Sequence, residues 1–156
     1  QTSDVRSDQY GIRTKVFVEG KPIKFEIVLE GRIGLAKPGK KDSVLGVATL
    51  TKLDMAASKL LANSDRGLDR GVHCRDVIDL AMLNLSMSEF ADAITKAQVA
   101  YGEAIIKDLS KVIDMLGEAN GLLECCMKTM DVSAPRALLW QNISKVKSFI
   151  ANGMTK

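Results

Sequence analysis

The sequence is poor in aromatic residues, cysteine, histidine and proline. Only 4% of its 156 residues are aromatic, and it contains three cysteines, one histidine and three prolines. So low an aromatic content is atypical of a β-sandwich and favours a soluble, predominantly helical chain. No run of about eighteen consecutive apolar residues is present, which argues against a membrane-spanning helix in this stretch.

The cysteines and the histidine form no recognisable catalytic or metal-binding pattern. Cys74 stands alone and Cys125 adjoins Cys126. We therefore expect all three to pack as small apolar residues in a reducing cytoplasm. His73 has no base, nucleophile or second ligand at a recognisable spacing, and it is interpreted as a turn residue. The absence of a Ser/His/Asp order, a CxxC, a Walker loop and a Rossmann glycine pattern disfavours hydrolytic and dinucleotide chemistry.

Two alternating apolar runs near the amino terminus predict a β-hairpin. Residues 10–18 alternate with Tyr10, Ile12, Val16 and Val18 on one side, and residues 23–30 alternate with Ile23, Phe25, Ile27 and Leu29 inward. The stretch 1–41 is also basic, with nine Lys/Arg against five Asp/Glu, whereas the remainder has thirteen against fourteen. The excess is small, so it is weak evidence for a nucleic acid or nucleotide partner.

A helix is predicted from Thr51, which can cap the first turn together with Asp54 three residues later. On this helix Lys52, Lys59 and Arg66 recur every seven residues, so they form one cationic ridge. The ridge could hold phosphates, or it could simply be a solvated helix face. Gly67 is the predicted end of the helix and allows the chain to turn.

A second helix is predicted from about Cys74 to Leu85. Asp76 lies in its first turn, where the positive end of the helix favours a negative charge. Arg75 and Asp79 are four residues apart, so an ordinary ion pair within the helix explains both of them. Further helical stripes follow at about 86–99, 103–116, 118–130 and 135–150. The fold class predicted is α+β, with strands and loop over 1–50, two motif-bearing helices over 51–85 and a helical bundle over 86–156.

The two helices of residues 51–85 resemble part of the AbiEii/AbiGii-type nucleotidyltransferase toxins of type IV toxin–antitoxin systems. The resemblance is carried by Lys59, followed by small residues and an arginine, and by the run Arg75-Asp76-x-x-Asp79-Leu80. It implies a core that binds a nucleoside triphosphate and Mg²⁺, in which Lys59 contacts phosphates and Asp79 is an essential carboxylate oriented by Arg75. The arginine is Arg66 or Arg70, and Arg66 is preferred for its place on the ridge, where Lys52 is a further candidate contact.

The same resemblance makes Glu26, in Phe-Glu-Ile on the second strand, a candidate metal ligand. The family's first motif, Gly-Ser followed by Asp-x-Asp, is absent from these residues. We therefore expect the sequence to be the carboxy-terminal part of a longer protein and to be inactive alone. The implied reaction is nucleoside monophosphate transfer to an RNA, such as a tRNA, or to a protein, under control of an antitoxin.

A different class of function is compatible with the same residues. In a non-catalytic helical interaction module, Lys59, Arg75 and Asp79 would only tie two helices together. The three-dimensional arrangement of these side chains bears on the choice between the two interpretations.

Overall fold

The computed structural model describes residues 4–72, 74–118 and 121–153, so His73 lies outside the described residues. The chain divides into two compact units, Gln1–Gly34 and Leu35–Lys156. The first holds three strands and the second a short strand pair and six helices, which confirms the α+β class. None of the helices described is long and apolar enough to cross a membrane.

The first unit is an antiparallel sheet in the order β1-β2-β3, formed by Arg6–Asp8, Gly11–Val18 and Lys21–Val28. The β2–β3 turn consists of Glu19 and Gly20, with φ values of 49° and 78°. Two consecutive residues with positive φ form the type I′ turn that suits the twist of a two-residue hairpin. The hairpin was predicted, whereas the short strand β1 was not.

The apolar side of this hairpin was expected to be buried, and that expectation was wrong. Phe25 and Ile27 are 49% and 55% exposed, and every residue of β3 is classed as exposed. In the described part of this unit, residues 4–34, no helix or second sheet packs against the hairpin, so its alternating apolar side chains have no apolar surface to contact there. Periodicity reports which side chains share a face and does not report what covers that face.

The second unit begins with two short paired strands, β4 at Ser43–Val44 and β5 at Val47–Ala48. The helices follow in this order: α1 Lys52–Arg66, α2 Arg75–Met82, α3 Met87–Tyr101, α4 Ala104–Glu118, α5 Leu122–Thr129 and α6 Arg136–Gly153. Helix α1 packs against α2, α3 and α4. Its Leu60 and Leu61 are fully buried, as predicted, but Leu53 is 38% exposed and does not belong to the inward face.

Cys74 and Cys126 are buried and Cys125 is exposed. The first two therefore pack as apolar residues, as predicted, and the third does not. Burial, aided by the neighbouring Cys126, raises the pKa of the Cys74 thiol to about 12. A thiol with so high a pKa is a poor nucleophile at neutral pH, so Cys74 has a packing role.

Helix α1 ends at Gly67 for a reason different from the one predicted. Its φ is −59°, which any residue can adopt, so conformational freedom does not require glycine there. A Cβ atom at this position would instead lie 2.5 Å from the carbonyl oxygen of Asn63 and 2.8 Å from Val112. Glycine is therefore needed because α4 approaches the end of α1 closely.

The start of α1 contains a buried charge that the sequence analysis had interpreted as a capping residue. The Thr51 hydroxyl accepts from the Asp54 N–H, as predicted. The Asp54 carboxylate is completely buried and accepts from the Ala36 N–H at 2.8 Å and from the Lys96 ammonium of α3. Burial by itself raises the pKa of Asp54, but the hydrogen bonds from Lys96 and Ala36 outweigh it and leave the pKa below its ordinary value.

Helix α3 begins with a complete capping box. The Ser86 hydroxyl accepts from the Glu89 N–H at 3.2 Å, and the Glu89 carboxylate accepts from the Ser86 N–H at 2.7 Å. We expect Ser86→Ala to lower the free energy of unfolding by about 1 kcal/mol, because one terminal N–H loses its acceptor. Urea denaturation followed by circular dichroism measures this change.

Ser88 provides the control for the Ser86→Ala prediction. It lies in the same exposed turn, and its hydroxyl contacts the Ser86 hydroxyl at 3.1 Å but takes part in neither hydrogen bond of the capping box. Ser88→Ala should therefore change the free energy of unfolding by less than about 0.5 kcal/mol. Equal losses in the two variants would show that the hydroxyl of Ser86 does not act as a cap.

Candidate functional site

Four charged side chains from α1 and α2 meet at one place, which we call the α1–α2 charge cluster: Lys59, Arg66, Asp76 and Asp79. The Lys59 ammonium lies 2.5 Å from Asp79 Oδ2 and 3.6 Å from Asp76 Oδ1. Arg66 donates from Nε and Nη2 to the two oxygens of Asp76 at 2.9 and 3.1 Å. The cluster thus contains the lysine and the aspartate of the two predicted motifs.

The helices present these side chains because of their local sequence. Lys59 and Arg66 are seven residues apart on α1, so they project from the same ridge. Asp76 and Asp79 are three residues apart on α2 and share a face that is turned toward this ridge. The chain enters α2 through Cys74, whose φ of 52° is unusual for a residue other than glycine.

Asp76 is the centre of the cluster, and the sequence analysis had not assigned it a site role. Its side chain is only 2% exposed, and it contacts both Lys59 and Arg66. This contact raises the pKa of the Arg66 guanidinium, with burial acting in the opposite direction. The spacing between Asp76 and Asp79 was the signal that could have identified it, because residues three apart on a helix are neighbours.

Arg75 does not orient Asp79 as the sequence had suggested. It is exposed, and it makes no salt bridge to another side chain in the described part of the chain. Asp79 is held from the other helix by Lys59 instead. The ion pair expected within α2 is therefore replaced by one between helices.

Lys52, the first cation of the ridge, lies outside the cluster. Its ammonium contacts both carboxylate oxygens of Glu89 on α3, at 3.0 and 3.1 Å. The pKa of Glu89 falls to about 2, first because of the hydrogen bond from the Ser86 backbone and next because of Lys52. The three ridge cations thus pair with two different helices.

Glu26 belongs to the strand unit, so its convergence with Lys59 and Asp79 stays a prediction. Its carboxylate lies 2.9 Å from the Lys24 ammonium and 3.3 Å from Arg13 Nε. The hydrogen bond from Lys24, followed by the charges of Lys24 and Arg13, lowers its pKa against the effect of desolvation. Across the residues described, no group of three or more His, Cys, Asp or Glu side chains could hold a metal ion.

A cavity of about 290 Å³ lies beside Arg66. Three carboxylates line it, those of Asp65, Asp69 and Asp108. Arg66 also lines this cavity, but the three carboxylates outnumber its single positive charge, so the cavity disfavours an anion.

No family model, curated protein or solved structure matches this chain. The resemblance to the nucleotidyltransferase toxins therefore depends only on the residues named above in α1 and α2 and on Glu26 of β3. Of the residues that it singled out, Lys59, Arg66 and Asp79 lie together, whereas Lys52 and Arg75 do not join them.

Proposed function

We propose that the α1–α2 charge cluster is the phosphate-contacting part of a nucleotidyltransferase site. In a chain that also carries Gly-Ser and Asp-x-Asp carboxylates, the activity would be transfer of a nucleoside monophosphate from a triphosphate to an RNA, such as a tRNA, or to a protein. One observation carries the proposal. Lys59 and Asp79, 20 positions apart, are in contact at 2.5 Å, and their side chains are 33% and 41% exposed.

In this proposal the cations act on phosphate and the carboxylates position the cations. Asp76 fixes the plane of the Arg66 guanidinium through two hydrogen bonds, and Asp79 fixes the ammonium of Lys59. Cations already oriented in the folded protein lose little freedom when charge develops on a transferring phosphoryl group, which is the basis of electrostatic preorganisation.

The charge balance determines how a triphosphate would bind. Lys59 and Arg66 are matched by Asp76 and Asp79, so the four side chains carry no net charge. A triphosphate would therefore compete with Asp79 for the Lys59 ammonium. Removing the charge of Asp79 should favour phosphate binding, even though the proposal makes Asp79 essential for transfer.

The resemblance also implies Mg²⁺, with Glu26 as a donor, a cytoplasmic location and a cognate antitoxin. The described residues do not fit a magnesium site by themselves, because the Glu26 carboxylate faces Lys24 and Arg13 and no three-donor group is formed. We therefore assign no step to the metal.

The proposal predicts opposite effects of two substitutions on nucleotide binding. Lys59→Ala should weaken the binding of ATP, GTP, CTP or UTP at least about tenfold, since it removes a charge-assisted contact. Asp79→Asn should leave this binding unchanged or make it tighter. Isothermal titration calorimetry with the 156-residue chain measures both effects.

Lys147→Ala is the matched control for nucleotide binding. Lys147 is a salt-bridged surface lysine whose ammonium lies 2.8 Å from Asp114, and its removal should not affect nucleotides. In a chain that carries the Asp-x-Asp motif, labelled nucleotide transfer to RNA or protein should be lost with Lys59→Ala and with Asp79→Asn. Unchanged binding and transfer in folded Lys59→Ala would remove Lys59 from the mechanism.

The ion pairs made by the three ridge cations support a second candidate function, that of a non-catalytic helical interaction module. Lys52, Lys59 and Arg66 each contact a carboxylate on a neighbouring helix. If these pairs only connect helices, no nucleoside triphosphate should bind. A double-mutant cycle between Lys59 and Asp79 should then give a coupling energy in stability and no other effect.

A further inference from the structure

The outer edge of β3 presents backbone groups that no described strand uses. β3 lies at one side of the β1-β2-β3 sheet, and β4 and β5 pair only with each other. The Leu29 N–H donates to the Tyr10 carbonyl at 3.0 Å, so the odd-numbered positions face β2. Hydrogen bonds alternate along an antiparallel strand, so the N–H and C=O groups of Lys24, Glu26 and Val28 point outward.

We propose that two copies of this chain pair through β3, antiparallel and centred on Phe25, so that the two sheets become continuous. This proposal uses none of the residues of the α1–α2 charge cluster. A two-fold arrangement of this kind requires a surface that is complementary to itself.

The charges on β3 are complementary to themselves in this register. Lys24 lies opposite Glu26 of the partner subunit, and the symmetry of the pair repeats this contact. Shifting the centre by one residue would place Lys24 opposite Lys24 of the partner subunit, or Glu26 opposite Glu26 of the partner subunit. Like charges directly opposite each other are unfavourable, so the two adjacent registers are disfavoured.

The apolar side chains agree with the same register. Ile23, Phe25 and Ile27 alternate along β3 and are 50%, 49% and 55% exposed. Phe25 would face itself across the axis at a non-hydrogen-bonded pair, where the backbones approach most closely. Ile23 would face Ile27 of the partner subunit, so aromatic and β-branched pairs would line the whole seam.

Pro22 would not prevent this pairing. It lacks an N–H, and its position faces the outer edge, but it is the second residue of the strand beside the turn. The shared ladder therefore lacks one hydrogen bond at each end, and the hydrogen bonds made by Lys24 and Glu26 do not involve proline.

Disulfide trapping tests the register directly. In a Cys125→Ser background, because Cys125 is the exposed cysteine, Phe25→Cys should form a cross-linked dimer under mild oxidation. Ile27→Cys alone should not cross-link, although it is equally exposed, whereas Ile23→Cys mixed with Ile27→Cys should. Cross-linking by Ile27→Cys alone, or none with Phe25→Cys, would overturn the proposal.

Charge reversal tests the same edge without cysteine. Within its own hairpin Lys24 lies opposite Lys15 and 2.9 Å from Glu26, so Lys24→Glu removes one like-charge pair there and creates another. In the dimer it also opposes Glu26 of the partner subunit. The dissociation constant from sedimentation velocity should rise about tenfold or more, and the double variant Lys24→Glu/Glu26→Lys should recover much of this loss. A chain that stays monomeric, or a dimer that Lys24→Glu leaves unchanged, would contradict the pairing.

Discussion

Lys96→Met is expected to lower the free energy of unfolding by about 3 kcal/mol. The Asp54 carboxylate is fully buried, and the Lys96 ammonium is its charged partner. Without that ammonium the carboxylate keeps the Ala36 N–H but has no positive charge beside it. An uncompensated buried charge costs far more than the loss of a surface ion pair. Urea denaturation at neutral pH measures the difference.

The effect of Lys96→Met should depend on pH in a defined direction. The pKa of Asp54 is lowered in the folded protein, so its contribution to stability is present above the ordinary value of 3.8 and is lost as the pH falls through the lowered pKa. In Lys96→Met the ammonium that lowers the pKa of Asp54 is absent, so the effect of burial raises this pKa relative to the unsubstituted protein. The gap between the two proteins should therefore shrink as the pH falls from the raised pKa of Asp54 in the variant to its lowered pKa in the unsubstituted protein.

The control for Lys96→Met is Lys111→Met. Lys111 is 60% exposed, and its ammonium lies 3.2 Å from Asp108 on the same helix. Lys111→Met should therefore lower the free energy of unfolding by less than about 0.5 kcal/mol. If Lys96→Met lowered the free energy of unfolding by as little as Lys111→Met, the buried pair with Asp54 would not stabilise the fold. The same would follow if the decrease caused by Lys96→Met were equal at neutral and at low pH.

Asp76→Ala should lower the free energy of unfolding by about 2 kcal/mol, the second largest effect expected. Its nearly buried carboxylate accepts two hydrogen bonds from Arg66 and lies 3.6 Å from Lys59. Removing it leaves Arg66 without its carboxylate partner on α2 and leaves Lys59 with Asp79 alone. The loss is smaller than for Lys96→Met, because Lys59 and Arg66 remain partly accessible to water.

Asp79→Ala tests whether the loss of stability expected for Asp76→Ala depends on the buried position of Asp76 in the cluster or would follow from removing any negative charge on α2. Asp79 contacts the same lysine but is 41% exposed, so its removal should cost less than about 1 kcal/mol. Both variants are compared by urea denaturation, and added salt should reduce the Asp79 effect more than the Asp76 effect. A loss for Asp76→Ala below about 1 kcal/mol would mean that the helix terminus alone accounts for this residue.

The starts of α1 and α3 could be located from the sequence, because they depend on residues close together in the chain. The start of α5 could not, since a helix was predicted from 118 and α5 begins at Leu122. Thr51 accepts from the N–H three residues later, and Ser86 and Glu89 form both halves of the capping box. The ridge of Lys52, Lys59 and Arg66 also follows from helix geometry alone. The α+β class and the two motif-bearing helices were predictable for the same reason.

The sequence by itself determined where α1 and α3 begin and which side chains share a face. The tertiary structure decided which charged group each of these side chains meets. Asp79 had Arg75 four residues away, yet it contacts Lys59, and Asp54 contacts Lys96, 42 positions distant. Ion pairs within a helix are worth only about 0.2–0.5 kcal/mol, so the packing of apolar side chains overrides them when it brings another helix close. Which long, flexible cation reaches which carboxylate therefore depends on the packing angle, which no local pattern contains.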